Sequence, residues 1–222
     1  LLLWVMNALS PQAIRDRIMS ADSLFQKKLV AYLESCHQGE FIHGTLAEVQ
    51  TRVKTDPHPS PEEEDAQSTV EYKVPTQTLP SVPPPLCTED HESEGCEVCE
   101  RMARWWLAYE HEVDDLWLRS NVHKCKESRR GCLSKTGICK ARFPRDIYPV
   151  TTIDSDGHIN MKKLEAYVNN MNRVLTYFAR SNSDVTSLLS GTSVKAVVSY
   201  VADYVSKLGL KSYQAFASVH DV

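Results

Sequence analysis

The stretch SYVADYVSK at 199–207 sets Tyr200 and Tyr204 four residues apart, with Asp203 between them and Lys207 just after. Residues i and i+4 share one side of a helix, and in a strand they share one face, so the two phenols are co-facial either way. Such a pair suits nucleophilic attack on a phosphodiester. A phenol with a pKa of about 10 is a weak nucleophile at neutral pH, so the reaction needs a divalent cation on the phosphate and a second cation to steady developing charge. Lys207 is placed for the second role. The competing reading is that the tyrosines flank a core and Lys207 pairs with Asp203.

A second chemistry sits in the cysteines. CEVC at 96–99 is a C-x2-C knuckle, and HKCKESRRGCLSKTGICKARFPR follows at 123–145. Zinc takes four thiolate or imidazole donors in a tetrahedron, and C-x2-C supplies two of them from one tight turn. Cys125 and Cys139 complete the expected set with Cys96 and Cys99, while His123 and Cys132 stand as substitutes. Free thiols in a loop are the alternative. The count of seven cysteines, without a secretory signal, argues against a disulfide framework and for reduced thiols or metal ligands.

The same segment carries Lys124, Lys126, Arg129, Arg130, Lys135, Lys140, Arg142 and Arg145 against a single acid before Arg145, Glu127. On a loop stiffened by metal these form a phosphate-contact surface for nucleic acid, against the simpler reading of a solvated charged face. Net charge is only −4, but it is unevenly spread: ten acids face two lysines over 54–95, and sixteen Lys/Arg face eight Asp/Glu over 119–222. The acidic part reads as a spacer and the basic part as something that meets polyanions.

These groups need elements to hold them. LLLWVM at the start reads as a buried strand continuing from sequence upstream of Leu1, and is too short for a signal peptide. Ser10 as N-cap and Pro11 at the first helical position start a helix. Leu24, Phe25, Leu29, Val30 and Leu33 recur at helical spacing and are expected in the core. Cys36, His37 and His43 near a turn fit no familiar ligand spacing and read as ordinary surface and turn residues. Residues 54–95 hold eight of the eleven prolines and few large apolar groups, so they are expected to be a disordered or extended acidic linker.

After Cys96, Met102, Trp105, Trp106, Tyr109, Val113, Leu116 and Trp117 lie on one broad helical face, better suited to a core than to stacking bases. MKKLEAYVNNMNRVLTYFARS at 161–181 reads as a helix, and Val194, Val197, Val198, Val201, Val205 and Leu208 make a narrow buried stripe on the last one. That stripe leaves the tyrosines on a flank. The fold class is therefore α+β, mainly helical. Four regions follow: 1–53, a strand plus helices; 54–95, the linker; 96–145, the aromatic helix and zinc knuckle; and 146–222, the helical segment with the tyrosines. No apolar run approaches the ~20 residues of a membrane span, and no G-x-x-x-x-G-K-[ST] loop is present to cradle ATP.

CKARFPR, an Asn-containing helix, and NSDVTSLLSGTSVKAVVSYVADYVSK together resemble the replication-initiator-like region of Helitron rolling-circle transposases, of the helitron helicase-like type found in fungi. LLLWVMNALSPQAIRDRIMS, LESCHQGEF and DDLWLRSNVHKC extend the resemblance over most of the chain. It implies the later part of an HUH-type nuclease fold acting in the nucleus on single-stranded DNA. Tyr200, Tyr204 and Lys207 would match the family's Y-x-x-x-Y-x-x-K element, each cleavage leaving a 5′-phosphotyrosine and a free 3′-OH. Mg2+ or Mn2+ on a His-hydrophobic-His strand would activate the phosphate, and a fused helicase would unwind DNA. His37, His43, His58, His91, His111, His123, His158 and His220 contain no His-x-His pair, which is expected just upstream of Leu1. The isolated chain is therefore expected not to nick DNA efficiently. The alternatives are a zinc-containing DNA-binding or scaffold module and a decayed element copy without catalysis.

Overall fold

The computed structural model describes residues 9–20, 23–57, 72–88, 95–126, 131–187 and 194–203. LLLWVM, Arg129, Arg130, Tyr204 and Lys207 lie outside them. The described residues form a mixed, mainly helical chain of the α+β class, with α1 (Pro11–Met19), α2 (Ser23–Cys36), α3 (Leu46–Thr55), α4 (Glu97–Asn121), α5 (Arg173–Ala179) and a two-strand pair. The strands, β1 (Thr152–Ile153) and β2 (Ile159–Asn160), run antiparallel with Thr152 opposite Asn160. A further helix, α6, covers 194–203. No helix among the described residues is long and apolar enough to cross a membrane.

The contacts divide the chain into two units, one of 1–29, 155–158 and 187–222, the other of 30–154 and 159–186. In the first, Ser10 caps α1 by accepting from the Ala13 N–H, and Pro11 opens the helix as its side-chain chemistry demands. Gln26 Nε2 donates to the Ile18 carbonyl at 2.8 Å. α6 forms where a helix was expected, but its valines are not a buried stripe: Val198 is 48% exposed and Val201 37%. Tyr200 is exposed on the same helix.

The second unit is built on α4. Its 25 residues span about 37 Å at 1.5 Å per residue. Trp105, Tyr109, Val113, Leu116 and Trp117 recur every three or four positions and bury one side against Phe41, Val49, Val168, Met171 and Tyr177. Trp106 stays half exposed. The opposite side of the second half is also buried, and there each acid has a partner. Asp114, fully buried, accepts from the Ile42 and His43 backbone N–H groups at 2.8 and 3.0 Å and from Arg52 at 3.1 Å. Asp115 accepts from Arg119 at 2.6 Å and from the Tyr72 hydroxyl. Glu112 pairs with Arg180 at 2.7 Å. Buried carboxylates survive only with such compensation.

Three expectations need correction. The disordered linker over 54–95 does not describe 72–88, which runs as a strap over α4 and α5. Its Ser81 is buried between the Tyr177 hydroxyl at 2.7 Å and the Trp105 indole N–H at 3.1 Å. Arg180 donates to the Pro75 carbonyl and to Thr78 Oγ1. Polar anchors and a buried Pro75 offset the ordering entropy that few large apolar groups could not, and they join regions expected to be separate domains. Residues 161–181 are not one helix: only α5 forms, capped by Asn172, which accepts from the Leu175 N–H. Before it the chain is spent on isolated antiparallel bridges, Lys163 with Tyr148, Val168 with Val122 and Met171 with Gln38. Those long-range backbone bonds outcompete local helix formation. Finally, of the apolar positions expected in the core from α2, only Leu33 is buried, and Leu24 is 62% exposed.

The turn before α3 carries His37 and His43. His37 is buried and not at the surface as expected, and burial lowers its pKa. His43 stacks on His111 at 4.5 Å and lies 3.3 Å from Glu110, with no metal-ligand geometry between them.

Candidate metal centre

His123 follows directly on the end of α4, where the chain leaves the helix and its backbone N–H bonds the Tyr167 carbonyl at 2.7 Å. Its ring lies flat on Phe143, centroids 4.2 Å apart and planes 11° from parallel. The Arg145 guanidinium covers Phe143 in turn, 4.7 Å from the ring centre. This stack sets the imidazole's orientation.

Cys132 and Cys139 are brought together by a small hairpin-like loop. The Lys140 N–H donates to the Cys132 carbonyl at 2.7 Å, and the Ser134 N–H to the Ile138 carbonyl at 2.8 Å. Lys135 and Thr136 make the turn, closed by the Gly137 N–H on the Ser134 carbonyl at 3.0 Å, with Gly137 at φ +78°, a region that glycine enters without cost. The Lys126 N–H donates to Cys132 Sγ at 3.4 Å, tying the Cys125 strand to the loop.

The result is one donor set. The ligand atoms of His123, Cys125, Cys132 and Cys139 all lie within 4.8 Å of one another. Cys139 Sγ and His123 Nε2 are 3.4 Å apart. A tetrahedral zinc with bonds of about 2.3 Å to sulfur and 2.0 Å to nitrogen requires an S···N edge of about 3.5 Å. Three thiols and one imidazole are the chemistry of a structural zinc site, and four protein donors leave no position for a reactive water. Without metal the thiols pull apart in acidity. Backbone N–H groups, first that of Phe143, lower the Cys139 pKa, while desolvation and the neighbouring Cys139 and Cys132 sulfurs raise Cys125 to about 11. A divalent cation would hold all three as thiolates and release protons on binding.

The set differs from the one expected. Cys96, Cys99, Cys125 and Cys139 do not form one site: Cys125 and Cys139 take His123 and Cys132 as partners, and Cys96 and Cys99 gather instead with Cys87. The C-x2-C turn was the strongest local signal, but the approach of 123–125 to 132–139 is set by the loop closure and by the Tyr167 contact, neither visible as spacing. Cys87 was missed because it ends a proline-rich stretch read as linker; the available signal was a third cysteine shortly before the knuckle.

Around the centre Lys124, Lys126, Lys135, Lys140 and Arg142 are exposed, and Arg142 takes the left-handed conformation at φ +61°. Arg145, expected to meet DNA, is half buried and committed to Phe143 and to Asn169 Oδ1 at 3.4 Å. Of the residues expected to be catalytic, Tyr200, Tyr204 and Lys207, only Tyr200 falls within the described residues. Comparison of the chain with family models, curated proteins and solved structures finds no match.

Proposed function

We propose that the chain is the single-strand-binding part of a Helitron-type rolling-circle transposase of the HUH class, acting in the nucleus beside a helicase. The observation that supports this best is the closure of His123, Cys125, Cys132 and Cys139 into one donor set inside the most basic stretch of the chain, with Lys124, Lys126, Lys140 and Arg142 exposed around it. Zinc there would hold the loop closed against its own charge repulsion, so that the cations meet phosphates at no further ordering cost. Tyr200 and Tyr204, with Lys207, keep the nucleophile role that the resemblance implies; the exposure of Tyr200 is what attack on a strand would need.

The Mg2+ or Mn2+ of the HUH reaction is not fitted by the residues present. No His-x-His pair occurs among the eight histidines, and the two donor groups among the described residues are thiol-rich, which suits zinc and not a hard cation. No cleavage step is therefore assigned to this chain's own residues. That mismatch favours, as a second reading, a zinc-containing DNA-binding or scaffold module without catalysis.

Fluorescence anisotropy with a labelled single-stranded oligonucleotide tests the common part of both. Binding should weaken with salt, and replacing Lys126, Lys140 and Arg142 with glutamine should reduce the slope of log K against log salt by about 2. Chelation of zinc should abolish most of the affinity. Unchanged affinity and slope in the triple variant would remove the basic loop from the reading. In a protein that also carries a His-x-His pair, a covalent tyrosyl-DNA adduct lost in Tyr200→Phe or Tyr204→Phe would favour the transposase over the module.

A further inference from the structure

Six of the seven cysteines fall into the two donor groups, and only Cys36 stands outside both. Such partition is not expected of thiols scattered through a chain for packing. The second group joins two elements. Cys87 ends the strap, Cys96 is the N-cap residue of α4, and Cys99 lies in the first turn of that helix. All three sulfurs lie within 4.8 Å of one another.

The distances discriminate between the ways three thiols can meet. Cys87 Sγ and Cys96 Sγ are 3.9 Å apart, and neither cysteine is in a disulfide. A disulfide needs about 2.05 Å. Two thiolates on one tetrahedral zinc, each bonded at about 2.3 Å, stand about 3.8 Å apart. Cys99 is exposed and Cys87 and Cys96 are partly so, so hydrophobic burial does not account for the gathering.

We propose that Cys87, Cys96 and Cys99 form a second zinc site, separate from the His123 centre, whose fourth position is filled by water or by a non-cysteine donor. Its role would be that of a clasp. The strap is already held to α4 and α5 by Tyr72 on Asp115, by Arg180 on Pro75 and Thr78, and by Ser81 against Tyr177 and Trp105. A metal at Cys87 would fasten its far end to the start of α4. Binding requires deprotonation of each thiol that is protonated in the apo form, and those protons leave to solvent with no redox change.

The test is zinc stoichiometry of the full chain, purified under reducing conditions, by native mass spectrometry. Two equivalents are expected for the wild type, one for Cys87→Ser with Cys99→Ser, and one for Cys125→Ser with Cys132→Ser. Because a serine variant could fail to fold, alkylation of the zinc-loaded wild type supplies a second readout. Iodoacetamide should modify Cys36 and spare Cys87, Cys96 and Cys99 until a chelator is added. A folded wild type with one equivalent and with Cys87 and Cys99 alkylated would overturn the clasp, as would a Cys87–Cys96 disulfide in its place. Neither result depends on whether the chain binds DNA.

Discussion

Arg180 offers the sharpest test of how the second unit is held together. It closes α5 in the left-handed region, φ +48°, and sends its guanidinium inward. Nη1 lies 2.7 Å from Glu112 Oε1, 2.7 Å from the Pro75 carbonyl and 2.8 Å from Thr78 Oγ1. Both charged side chains are only 7% exposed, so solvent screens the pair weakly. Removing one partner of a buried pair leaves the other charge uncompensated and costs about 3–5 kcal/mol. Glu112→Gln, which keeps the shape and removes the charge, should fall near 3 kcal/mol on that scale. Arg180→Met also strips two hydrogen bonds from the strap, each worth about 1 kcal/mol, and should cost roughly 2 kcal/mol more. Adding Glu112→Leu to Arg180→Met should recover part of the loss, because no orphaned carboxylate then remains. Urea unfolding at fixed zinc concentration gives the stabilities, and proteolysis under native conditions reports whether the strap lifts. The reasoning fails if Arg180→Met lies within about 0.5 kcal/mol of wild type, or if the double variant equals the sum of Glu112→Leu and Arg180→Met measured singly, which would mean no coupling.

Two further outcomes follow from the bridge between 148 and 163. Gly39 accepts the Leu164 and Glu165 N–H groups at its carbonyl, and a Cβ there would sit 2.9 Å from Lys163 Cα, so Gly39→Ala should cost roughly 1–3 kcal/mol in the same unfolding assay. Lys163 is buried, donates to the Val168 carbonyl and to Asn170 Oδ1, and is held down at about 8, first by burial and then by the Arg145 charge. Between pH 8 and its ordinary value the unfolded chain keeps a proton the folded one has released, so stability should rise with pH across that window, by at most about 3 kcal/mol. Lys163→Met should remove the rise; an unchanged slope between pH 8 and 10 would contradict the assignment. Measurement should stop at pH 10, because Tyr72, pushed above its ordinary value by burial and by Asp115, acts in the opposite direction beyond it.

What the sequence by itself determined is what depends on neighbours a few residues away. Ser10 and Pro11 start α1, because a cap is made within one turn. The aromatic spacing from Trp105 to Trp117 specified both the existence and the buried face of α4. The chemistry of the cysteine segment was equally plain, since three thiols and a histidine among lysines admit few uses.

The tertiary structure decided which groups meet. Asp114 and Asp115 look like surface residues in sequence, and only the arrival of Arg52, the 42–43 backbone, Arg119 and Tyr72 makes their burial tolerable. The strap was read as disorder because its anchors, Arg180 and Tyr177, lie about a hundred residues away. Residues 161–172 lost their helix to backbone partners at Gln38, Val122 and Tyr148. The cysteines divided between two sites for the same reason. Ligand type is a property of a residue, but a coordination set is a property of loops closed by long-range contacts, and spacing along the chain does not carry that information.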